Sequence, residues 1–450
     1  MHIDFLREVF RENRAAASFV FQDTVYSYDW LLRRIDEDRE YLTQSRLPPG
    51  SVVMLHADFS PHAMATMLCL MERGDIVVPV APDSEHSADP YAEIAAVDFD
   101  LRRSGDKWHV QPRTSHIKHP LLSALTDTGH PGLVLFSSGT TGEPKGVLHD
   151  LTRLLRKYRT RRHCHRTLAF LLFDHIGGID TALYSLANGS CLVLAEDRSP
   201  DRVCQAIERH RVAVLPAAPT FLNLLAISGA WQRYDLSSLE IVTYGAEMMP
   251  ESTLRRCREM FPGVALMQKY GTSEVGTLRS KSRSSDSLWV KLGGEGYRTR
   301  IVDGKLEIKA ESSMLGYLNA ESPFTPDGWF KTGDLVEVDG EFIRFLGRDS
   351  DVINVGGRKV NPAEVESLIA GLANIKDVVV FGKPNPLMGQ VVHAVVRTID
   401  DEDAGQLQRR VRAACSEALD KHKVPMTVEI TDRPLSSERF KQLRREPSRP

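Results

Sequence analysis

Residues 133–150 have the sequence LVLFSSGTTGEPKGVLHD. The apolar run at its start is too short for a helix and is bounded by polar residues, so it predicts a short buried strand. Residues 137–142 hold four hydroxyls and two glycines, so backbone N–H and side-chain O–H groups can converge on one anion. A Ser/Gly-rich surface turn is the alternative. The preceding strand, Lys145 at a fixed offset and the stiffening Pro144 favour phosphate binding.

This stretch differs from the common P-loop, which has the pattern G-x-x-x-x-G-K-[ST] and opens a helix. Gly139 and Gly142 are too close together for that pattern, and Lys145 is followed by Gly146 and a strand-like VLH. We therefore expect Lys145 to lie on a flexible loop.

Length and composition limit the class of protein. A chain of 450 residues with 42% hydrophobic residues can form more than one domain with large cores. The net charge of −3 gives no attraction to nucleic acid. Six cysteines without a C-x-x-C pair indicate neither a zinc site nor a disulfide framework, and favour a reducing cytoplasm. The mixed charges of the first 18 residues argue against a signal peptide, and no apolar run is long enough for a membrane span. We expect a soluble, cytoplasmic protein.

The order of apolar segments predicts the architecture. Strand-like and helix-like segments alternate through residues 1–130 and again after residue 166, which predicts an α/β fold with mostly parallel sheets flanked by helices. Later hairpin strands, with turns at Asp303-Gly304 and Asp339-Gly340, predict a smaller β layer. The predicted units are an N-terminal domain of residues 1–347, a hinge at 348–351, a small α+β C-terminal domain of residues 352–445 and a tail at 446–450.

Four motifs carry a resemblance to a known family. SSGTTGEPKG, residues 137–146, resembles the signature of the adenylate-forming superfamily, which includes acyl-CoA synthetases, peptide-synthetase adenylation domains and firefly luciferase. YGTSE at 270–274 looks like that family's Y-G-x-T/S-E, and FKTGDL at 330–335 resembles Y-x-T-G-D-L. GRDSDVINVGGRKVNPAEVE at 347–366 resembles the hinge and the segment after it. The resemblance therefore covers nearly the whole chain.

The resemblance implies an ATP-dependent carboxylate ligase. The substrate acid would form an acyl-adenylate and pyrophosphate, and the acyl group would pass to a thiol of CoA or of phosphopantetheine on an acyl or peptidyl carrier protein. An amine acceptor, which would make the protein an amide ligase, and a nucleotide-binding pseudoenzyme or sensor remain as alternatives. The sequence does not distinguish aryl, short-chain and fatty acids.

The nucleotide site is predicted from these motifs. Glu274 can hold Mg²⁺ through one carboxylate while phosphates supply other ligands. Asp334, beside Gly333, would accept hydrogen bonds from the ribose hydroxyls, although either acid alone would be interpreted as a turn or cap residue. The resemblance places Tyr270 beside the adenine and Arg348 on the ribose. The residues predicted to bind ATP are Ser137, Ser138, Gly139, Thr140, Thr141, Gly142, Lys145, Gly245, Ala246, Glu247, Tyr270, Gly271, Thr272, Ser273, Asp334 and Arg348.

The acid pocket is predicted from LLFDHIGG, residues 171–178. His175 resembles the aromatic or histidine residue that separates the carboxylate pocket from the thiol channel in CoA ligases, whereas a lone histidine after a strand is usually a core residue. Asp174 offers another register, because amino-acid-activating domains use an aspartate here to neutralise the substrate amine. The spacing to Gly178 favours His175, and hence a substrate without an α-amine.

The predicted mobile parts follow the hinge. By resemblance, Ser350 is the pivot, and Gly356 and Gly357 line the thiol channel when the C-terminal domain turns. The third catalytic residue, beside Lys145 and His175, is a lysine near the end of the chain.

The segment PLSSERFKQLRR, residues 434–445, supplies that lysine as Lys441, in K-x-x-R spacing. It departs from the family pattern, because Phe440 replaces a glycine and the preceding interval is one residue longer. Lys421 and Lys423 are the alternatives.

A basic segment follows the opening motif. Residues 151–166, LTRLLRKYRTRRHCHR, predict a helix that is either solvated or a docking surface for a carrier protein or CoA phosphates. Its basic residues are Arg153, Arg156, Lys157, Arg159, Arg161, Arg162 and Arg166.

Overall fold

The structure, a computed structural model, describes residues 2–105, 107–113, 118–138, 143–195 and 197–435. These residues form twelve α-helices and 26 strands. The helices are α1 Asp4–Glu12, α2 Tyr28–Gln44, α3 Pro61–Arg73, α4 Ala88–Ile94, α5 Pro120–Asp127, α6 Leu151–Leu154, α7 Ile176–Ala187, α8 Pro200–His210, α9 Pro219–Ser228, α10 Glu251–Met260, α11 Pro362–Ala370 and α12 Ala404–Ala418.

The strands form four sheets. They are β1 Ala17–Phe21, β2 Thr24–Ser27, β3 Val52–His56, β4 Ile76–Val80, β5 Phe99–Ser104, β6 Lys107–Pro112, β7 Gly132–Ser138, β8 Pro144–Asp150, β9 Thr167–Ala169, β10 Leu192–Leu194, β11 Val214–Ala217, β12 Ile241–Tyr244, β13 Ala265–Gln268, β14 Tyr270–Thr272, β15 Gly276–Ser282, β16 Trp289–Gly293, β17 Tyr297–Val302, β18 Lys305–Ala310, β19 Gly316–Tyr317, β20 Phe330–Asp339, β21 Phe342–Arg348, β22 Ile353–Val355, β23 Arg358–Val360, β24 Ile375–Asn385, β25 Gly389–Thr398 and β26 Thr427–Ile430.

Two seven-stranded sheets form the larger part of the molecule. The first has the order β13-β12-β11-β9-β10-β1-β2, and every pair in it is parallel except β1 with β2. The second has the order β19-β8-β7-β4-β3-β5-β6, with parallel pairs in its centre. A shared core joins Phe19 of the first sheet to Leu55 and Leu133 of the second through α3 and α7. Because α3 is apolar on nearly all sides, it is buried between layers. The predicted α/β class is confirmed.

The third sheet is antiparallel, in the order β14-β15-β16-β21-β20-β18-β17. The predicted turns at Asp303-Gly304 and Asp339-Gly340 connect its hairpins, and positive φ angles of +72° at Gly304 and +61° at Gly340 explain the glycines. The sheet also contains β14, β15 and β16, which precede the first of these two hairpins.

The C-terminal domain has its own sheet, β23-β22-β25-β24, with β26 parallel to β25. Helices α11 and α12 cover it around a separate core that includes Val365, Val380 and Val411. A 3₁₀ turn at Asp349–Asp351 connects the third sheet to this domain and coincides with the predicted hinge. In the structure α11 packs against α10 and β21, and Asn223 Nδ2 donates a hydrogen bond of 3.1 Å to the Lys376 carbonyl.

The predicted basic helix at 151–166 is wrong. Only α6 and a following 3₁₀ turn to Tyr158 are helical, and residues 159–166 are irregular. Like charges three and four positions apart, such as Arg153 and Lys157, oppose a helix. Contacts to other segments replace it, including Arg161 with Glu12 at 2.6 Å.

None of the helices in the described ranges has the combined length and apolar character needed to cross a membrane.

Candidate functional site

The opening motif forms a hairpin between β7 and β8. Ser137 lies opposite Lys145, and Lys145 belongs to β8, so the prediction that it lies on a flexible loop is wrong. The reason is that β8 is held on both sides, by β7 and by β19. Asn319 adds two hydrogen bonds, accepting from the Gly146 N–H at 3.0 Å and donating to the Pro144 carbonyl at 2.8 Å. The lysine is therefore presented from a fixed strand.

The remainder of that motif is only partly described. Ser138 ends β7, where it pairs with Pro144. Gly139, Thr140, Thr141 and Gly142, together with the Ser138 side chain, lie outside the described residues.

Tyr317 connects Lys145 to the predicted metal ligand. Its hydroxyl donates a hydrogen bond of 2.7 Å to Oε1 of Glu274, and Lys145 Nζ lies 5.2 Å from the centre of its ring. Tyr317 is buried on β19, and burial raises the pKa of its phenol, so the hydroxyl stays a donor. A cation and a carboxylate are thus held at the ring and the hydroxyl of one side chain.

Hydrogen bonds to the backbone hold the turn that carries Glu274. His149 Nε2–H donates to the Ser273 carbonyl at 2.5 Å, and the Glu274 N–H donates to Thr272 Oγ1 at 3.3 Å. His149 is fully buried, and burial lowers the pKa of its imidazole. A Cβ atom at Gly271 would lie 2.8 Å from a backbone atom of the paired strand β15, so glycine is required there.

Asp334 is the second carboxylate of the site. Its Oδ2 accepts a hydrogen bond of 2.6 Å from the Tyr270 hydroxyl, and its Oδ1 lies 3.3 Å from Arg348 Nε. Arg348 is its partner across the β20–β21 pair. Burial raises the pKa of Asp334, and the Arg348 charge opposes that change. The Tyr270 ring stacks on Phe345 at 4.7 Å, which covers one of its faces.

Gly245, Ala246 and Glu247, three of the residues predicted to bind ATP, follow β12. A Cβ atom at Gly245 would lie 2.5 Å from the Lys269 carbonyl, so the two backbones approach too closely for any side chain. Ala246 has a φ of +69°, an uncommon conformation for a non-glycine residue. Glu247 Oε2 accepts from the Thr220 N–H at 3.2 Å and the Thr220 hydroxyl at 2.7 Å.

Asp174 and His175, the two alternative candidates for the pocket residue in the FDH sequence, differ in burial. Asp174 is 5% exposed and accepts a hydrogen bond of 2.5 Å from the Ser84 hydroxyl. His175 precedes the first residue of α7, and its side chain is 27% exposed. Gly178 lies in the first turn of α7, where a Cβ atom would lie 2.0 Å from the Leu172 carbonyl. Because α7 packs against β14 and β15, it adjoins the Tyr270 motif.

The predicted mobile residues lie elsewhere. Gly356 and Gly357 form the β22–β23 turn with φ angles of +58° and +83°, and their described hydrogen bonds are to Met388 and Asn354 within the C-terminal domain. Ser350 lies exposed in the 3₁₀ turn and donates to its neighbour Asp351. These residues are not brought to Glu274 or Asp334 by any described contact.

Of the three candidates for the C-terminal catalytic lysine, two lie among the described residues. Lys441 lies outside the described residues. Of its two alternatives, Lys423 is paired with Glu364 at 2.9 Å, and Lys421 begins the same 3₁₀ turn.

A cleft of about 790 Å³ lies between the two domains, beside Glu247 of the residues predicted to bind ATP. Thr220 and Glu247 line it from the N-terminal domain, and Asn361 and Asp377 line it from the C-terminal domain.

Sequence reasoning missed three residues that fix the site. Tyr317 holds the Glu274 carboxylate, and His149 holds the Ser273 carbonyl. Asn319 holds the β8 backbone. Each is a single residue in or beside an apolar strand, so its only signal is a polar group within an apolar context.

The residues present fit a magnesium ion that arrives with ATP. In the described ranges, no three or more His, Cys, Asp or Glu side chains form a metal-binding group. Mg²⁺ in nucleotide enzymes is usually held by one or two carboxylates, with phosphate oxygens and waters completing the set. Glu274, fixed by Tyr317 near Lys145, provides one such carboxylate.

Comparison with known proteins identifies the family of the chain. Residues 92–306 match the AMP-binding enzyme family, and residues 364–439 match the AMP-binding enzyme C-terminal domain. The chain is 30% identical over 385 residues to an indoleacetate–CoA ligase of Aromatoleum aromaticum, covering 76% of this chain and 72% of the relative.

Two solved structures share the fold. The anthranilate CoA ligase AuaEII in complex with anthranoyl-AMP has a TM-score of 0.80 at 19% identity, covering 98% of this chain and 95% of its own. The amide bond synthetase McbA from Marinactinospora thermotolerans has a TM-score of 0.77 at 23% identity, with coverages of 99% and 98%. The chain therefore belongs to the AMP-binding enzymes, the adenylate-forming superfamily of AMP-dependent synthetases and ligases.

Proposed function

We propose that this chain joins a carboxylic acid to a thiol in two steps at the site that contains Glu274 and Asp334. In the first step a carboxylate oxygen attacks the α-phosphorus of ATP. The new P–O bond forms as the bond from that phosphorus to the bridging oxygen breaks, and pyrophosphate leaves. In the second step the thiol attacks the acyl carbon, loses its proton, and AMP leaves. The proposed acceptor is CoA or the phosphopantetheine of a carrier protein.

One observation carries this proposal: Tyr317 holds Glu274 by its hydroxyl and faces Lys145 with its ring. Glu274 and Lys145 belong to different motifs, yet one buried side chain sets their separation. A fixed cation next to a fixed carboxylate suits a substrate that brings both phosphates and a divalent cation.

Lys145 would stabilise the charge that develops on the leaving pyrophosphate. Its position on the braced strand β8 means that little reorganisation is needed when the charge develops. The attacking carboxylate is already ionised at neutral pH, so the site needs no general base for this step.

Asp334 would accept hydrogen bonds from the ribose hydroxyls. Tyr270 and Arg348 hold both of its oxygens in place before a nucleotide binds. Phe345 fixes the Tyr270 ring, whose other face would lie beside the adenine. Because these side chains hold one another in place, they would position the ribose relative to Lys145. Less entropy would then be lost when ATP and the acid reach the geometry in which they react.

Glu274 would hold Mg²⁺ together with oxygens of the ATP phosphates. When bound, the ion neutralises phosphate charge and orients the leaving group. The role of the protein is to fix the carboxylate, through Tyr317 at its oxygen and His149 at the preceding carbonyl.

The acid would bind beside α7, with His175 between the carboxylate and the thiol. The burial of Asp174 against Ser84 supports this register. After adenylation, rotation about the 348–351 segment would bring Gly356 and Gly357 to the site in place of Lys441, so that the thiol approaches along a backbone without side chains.

Acid-dependent exchange of labelled pyrophosphate into ATP tests the first step. We expect exchange with at least one acid from a set of aryl, short-chain and fatty acids, and its loss in Glu274→Gln. Absence of exchange with every acid, combined with measurable ATP binding, would instead indicate a nucleotide-binding sensor. Product analysis with CoA and with simple amines then separates a thiol ligase from an amide ligase.

A further inference from the structure

Two lysines and one aspartate lie within electrostatic range of one another between α7 and the YGTSE motif at residues 270–274. Asp180, on α7, forms an ion pair with Lys157 and accepts a hydrogen bond of 2.6 Å from the Tyr158 hydroxyl. Lys157 Nζ also donates to the Thr277 carbonyl at 3.1 Å. Lys269 directly precedes Tyr270, and Asp180 and Lys157 are the charged groups that act on it. The single carboxylate is therefore already engaged by two donors.

The Lys269 ammonium has no such engagement. Within the described part of the chain, its Nζ makes no hydrogen bond and no ion pair, although the residue is partly buried. Burial lowers the pKa of this amine, and the nearby Lys157 acts in the same direction. The cluster of Lys157, Asp180 and Lys269 consequently carries one positive charge in excess when all three are ionised. A cation in such surroundings is costly unless an anion pairs with it.

The backbone fixes this lysine on the wall of the proposed site. Its N–H donates to the Tyr244 carbonyl at 2.7 Å, and its own carbonyl lies against Gly245. The next residue, Tyr270, contacts Asp334, and the α7 helix that carries Asp180 begins directly after His175. Lys269 therefore lies between the proposed nucleotide residues and the helix assigned to the acid.

We infer that Lys269 determines specificity by pairing with a second anionic group on the substrate acid, so that the preferred substrates are dicarboxylic or similarly dianionic acids. The inference rests on the proposed ligase function, because it concerns the acid that the site activates. The reacting carboxylate is the other possible partner of Lys269. That case predicts that every acid depends on the lysine equally.

The experiment compares pairs of acids that differ in one group. Each pair consists of an acid with a second, distal carboxylate and the same acid with that carboxylate converted to a primary amide. Short aliphatic, aryl and long-chain pairs are used, and the rate of pyrophosphate exchange is measured for each member. The variants are Lys269→Met, which removes the charge at similar length, and Lys269→Arg, which keeps it. Lys107→Met, at an exposed position on β6, is the matched control.

We expect the wild-type protein to prefer a distal carboxylate over its amide by about tenfold or more in kcat/KM, as for other sites built around a buried polar group. Lys269→Met should lose this preference by slowing the diacid while changing the amide by less than about threefold. Lys269→Arg and Lys107→Met should keep it. Equal losses for diacid and amide in Lys269→Met, or a wild-type preference for the amide, would overturn the inference.

Two further measurements separate this inference from the proposed function. If no acid supports exchange, calorimetric binding of the diacids to the wild-type and Lys269→Met proteins still tests the pairing. Binding that depends on Lys269 without exchange would keep the inference and reject the ligase. Pyrophosphate exchange whose preference between diacid and amide does not depend on Lys269 would keep the ligase and reject the inference. In the absence of ligand Lys269→Met should raise Tm, because it removes a partly buried charge that has no ion-pair partner, and a lower Tm would contradict the inference.

Discussion

The Tyr317 hydroxyl donates a hydrogen bond of 2.7 Å to Oε1 of Glu274, from a ring that also faces the ammonium of Lys145. Tyr317 and Glu274 are 43 positions apart, Tyr317 on β19 of the second sheet and Glu274 in the turn between β14 and β15 of the third. Their contact joins the β7–β8 hairpin to the turn after β14, and so unites two motifs that are separate in the sequence.

Tyr317→Phe tests this relationship, because it removes the hydroxyl and keeps the ring that faces Lys145. A hydrogen bond to a charged group is worth about 1.5–3 kcal/mol, so we expect kcat/KM for adenylation to fall by about tenfold to a hundredfold. In Glu274→Gln the kcat/KM for adenylation should fall much further, because this substitution removes the charge that would hold the metal. Exchange kinetics over a range of Mg²⁺ concentrations make the comparison. Equal activity of Tyr317→Phe and wild type would show that the hydrogen bond does not position Glu274.

Lys145→Ala should slow adenylation without preventing ATP binding. Removal of one preorganised charge stabiliser costs about 2–4 kcal/mol in the transition state. Lys145→Arg is the matched control, because it keeps the charge on the same braced strand. Single-turnover formation of acyl-adenylate measures the effect. A rate in Lys145→Ala close to that of the wild type would remove this lysine from the mechanism.

The fold and the site differ in how far the sequence predicts them. The hairpins closed by Asp303-Gly304 and Asp339-Gly340 are local, so turn chemistry and alternation suffice to place them. Contacts such as Tyr270 with Asp334, 64 positions apart, depend on how distant strands are ordered within one sheet, and no periodicity encodes that order. The resemblance supplied those residues instead.

The two wrong predictions have the same origin. The close spacing of Gly139 and Gly142 and the glycine after Lys145 predicted that Lys145 lies on a flexible loop, but Asn319, 173 positions from Gly146, helps to hold β8 as a strand. The basic sequence of residues 151–166 predicted a single helix, but repulsion among its arginines and contacts with distant acids such as Glu12 leave residues 159–166 irregular. In both cases tertiary contacts overrode a local pattern.

Asp377 gives a prediction for pH dependence. It lines the cleft between the domains, and burial raises its pKa to about 6. A folded-state pKa above the ordinary value of 3.8 means that this residue favours folding at low pH and loses that contribution as the pH rises to about 6. Asp377→Asn keeps an oxygen for the Val378 N–H and removes the buried charge. It should therefore be more stable than the wild type at pH 8.

Urea unfolding of the full chain at pH 5 and pH 8 checks the sign. The stability gained by Asp377→Asn should be larger at pH 8 by about 1–1.5 kcal/mol. Asp401→Asn, at an exposed position, should show no comparable change. A gain in Asp377→Asn that is the same at both pH values would mean that Asp377 does not titrate between them.

The proposed domain rotation predicts opposite effects in the two half-reactions. Lys441→Ala should stop formation of the adenylate and leave thioester formation from supplied acyl-adenylate nearly unchanged, whereas Lys423→Ala, at a lysine paired with Glu364, should leave both steps intact. Gly357→Leu should slow thioester formation and spare adenylation. Because Gly357 has a φ of +83°, Gly357→Ala carries the same backbone strain without the bulk and serves as its control. Parallel losses in both half-reactions for Lys441→Ala and Gly357→Leu would argue against rotation.

The most direct test of the central claim follows the oxygen atoms of the substrate. With an acid labelled with ¹⁸O in both carboxylate positions, attack on the α-phosphorus transfers one labelled oxygen to AMP when the thiol releases it. We predict that mass spectrometry of a complete turnover finds one ¹⁸O in AMP and none in pyrophosphate. Label in inorganic phosphate, with ADP as the nucleotide product, would show attack on the γ-phosphorus and would contradict adenylation at this site.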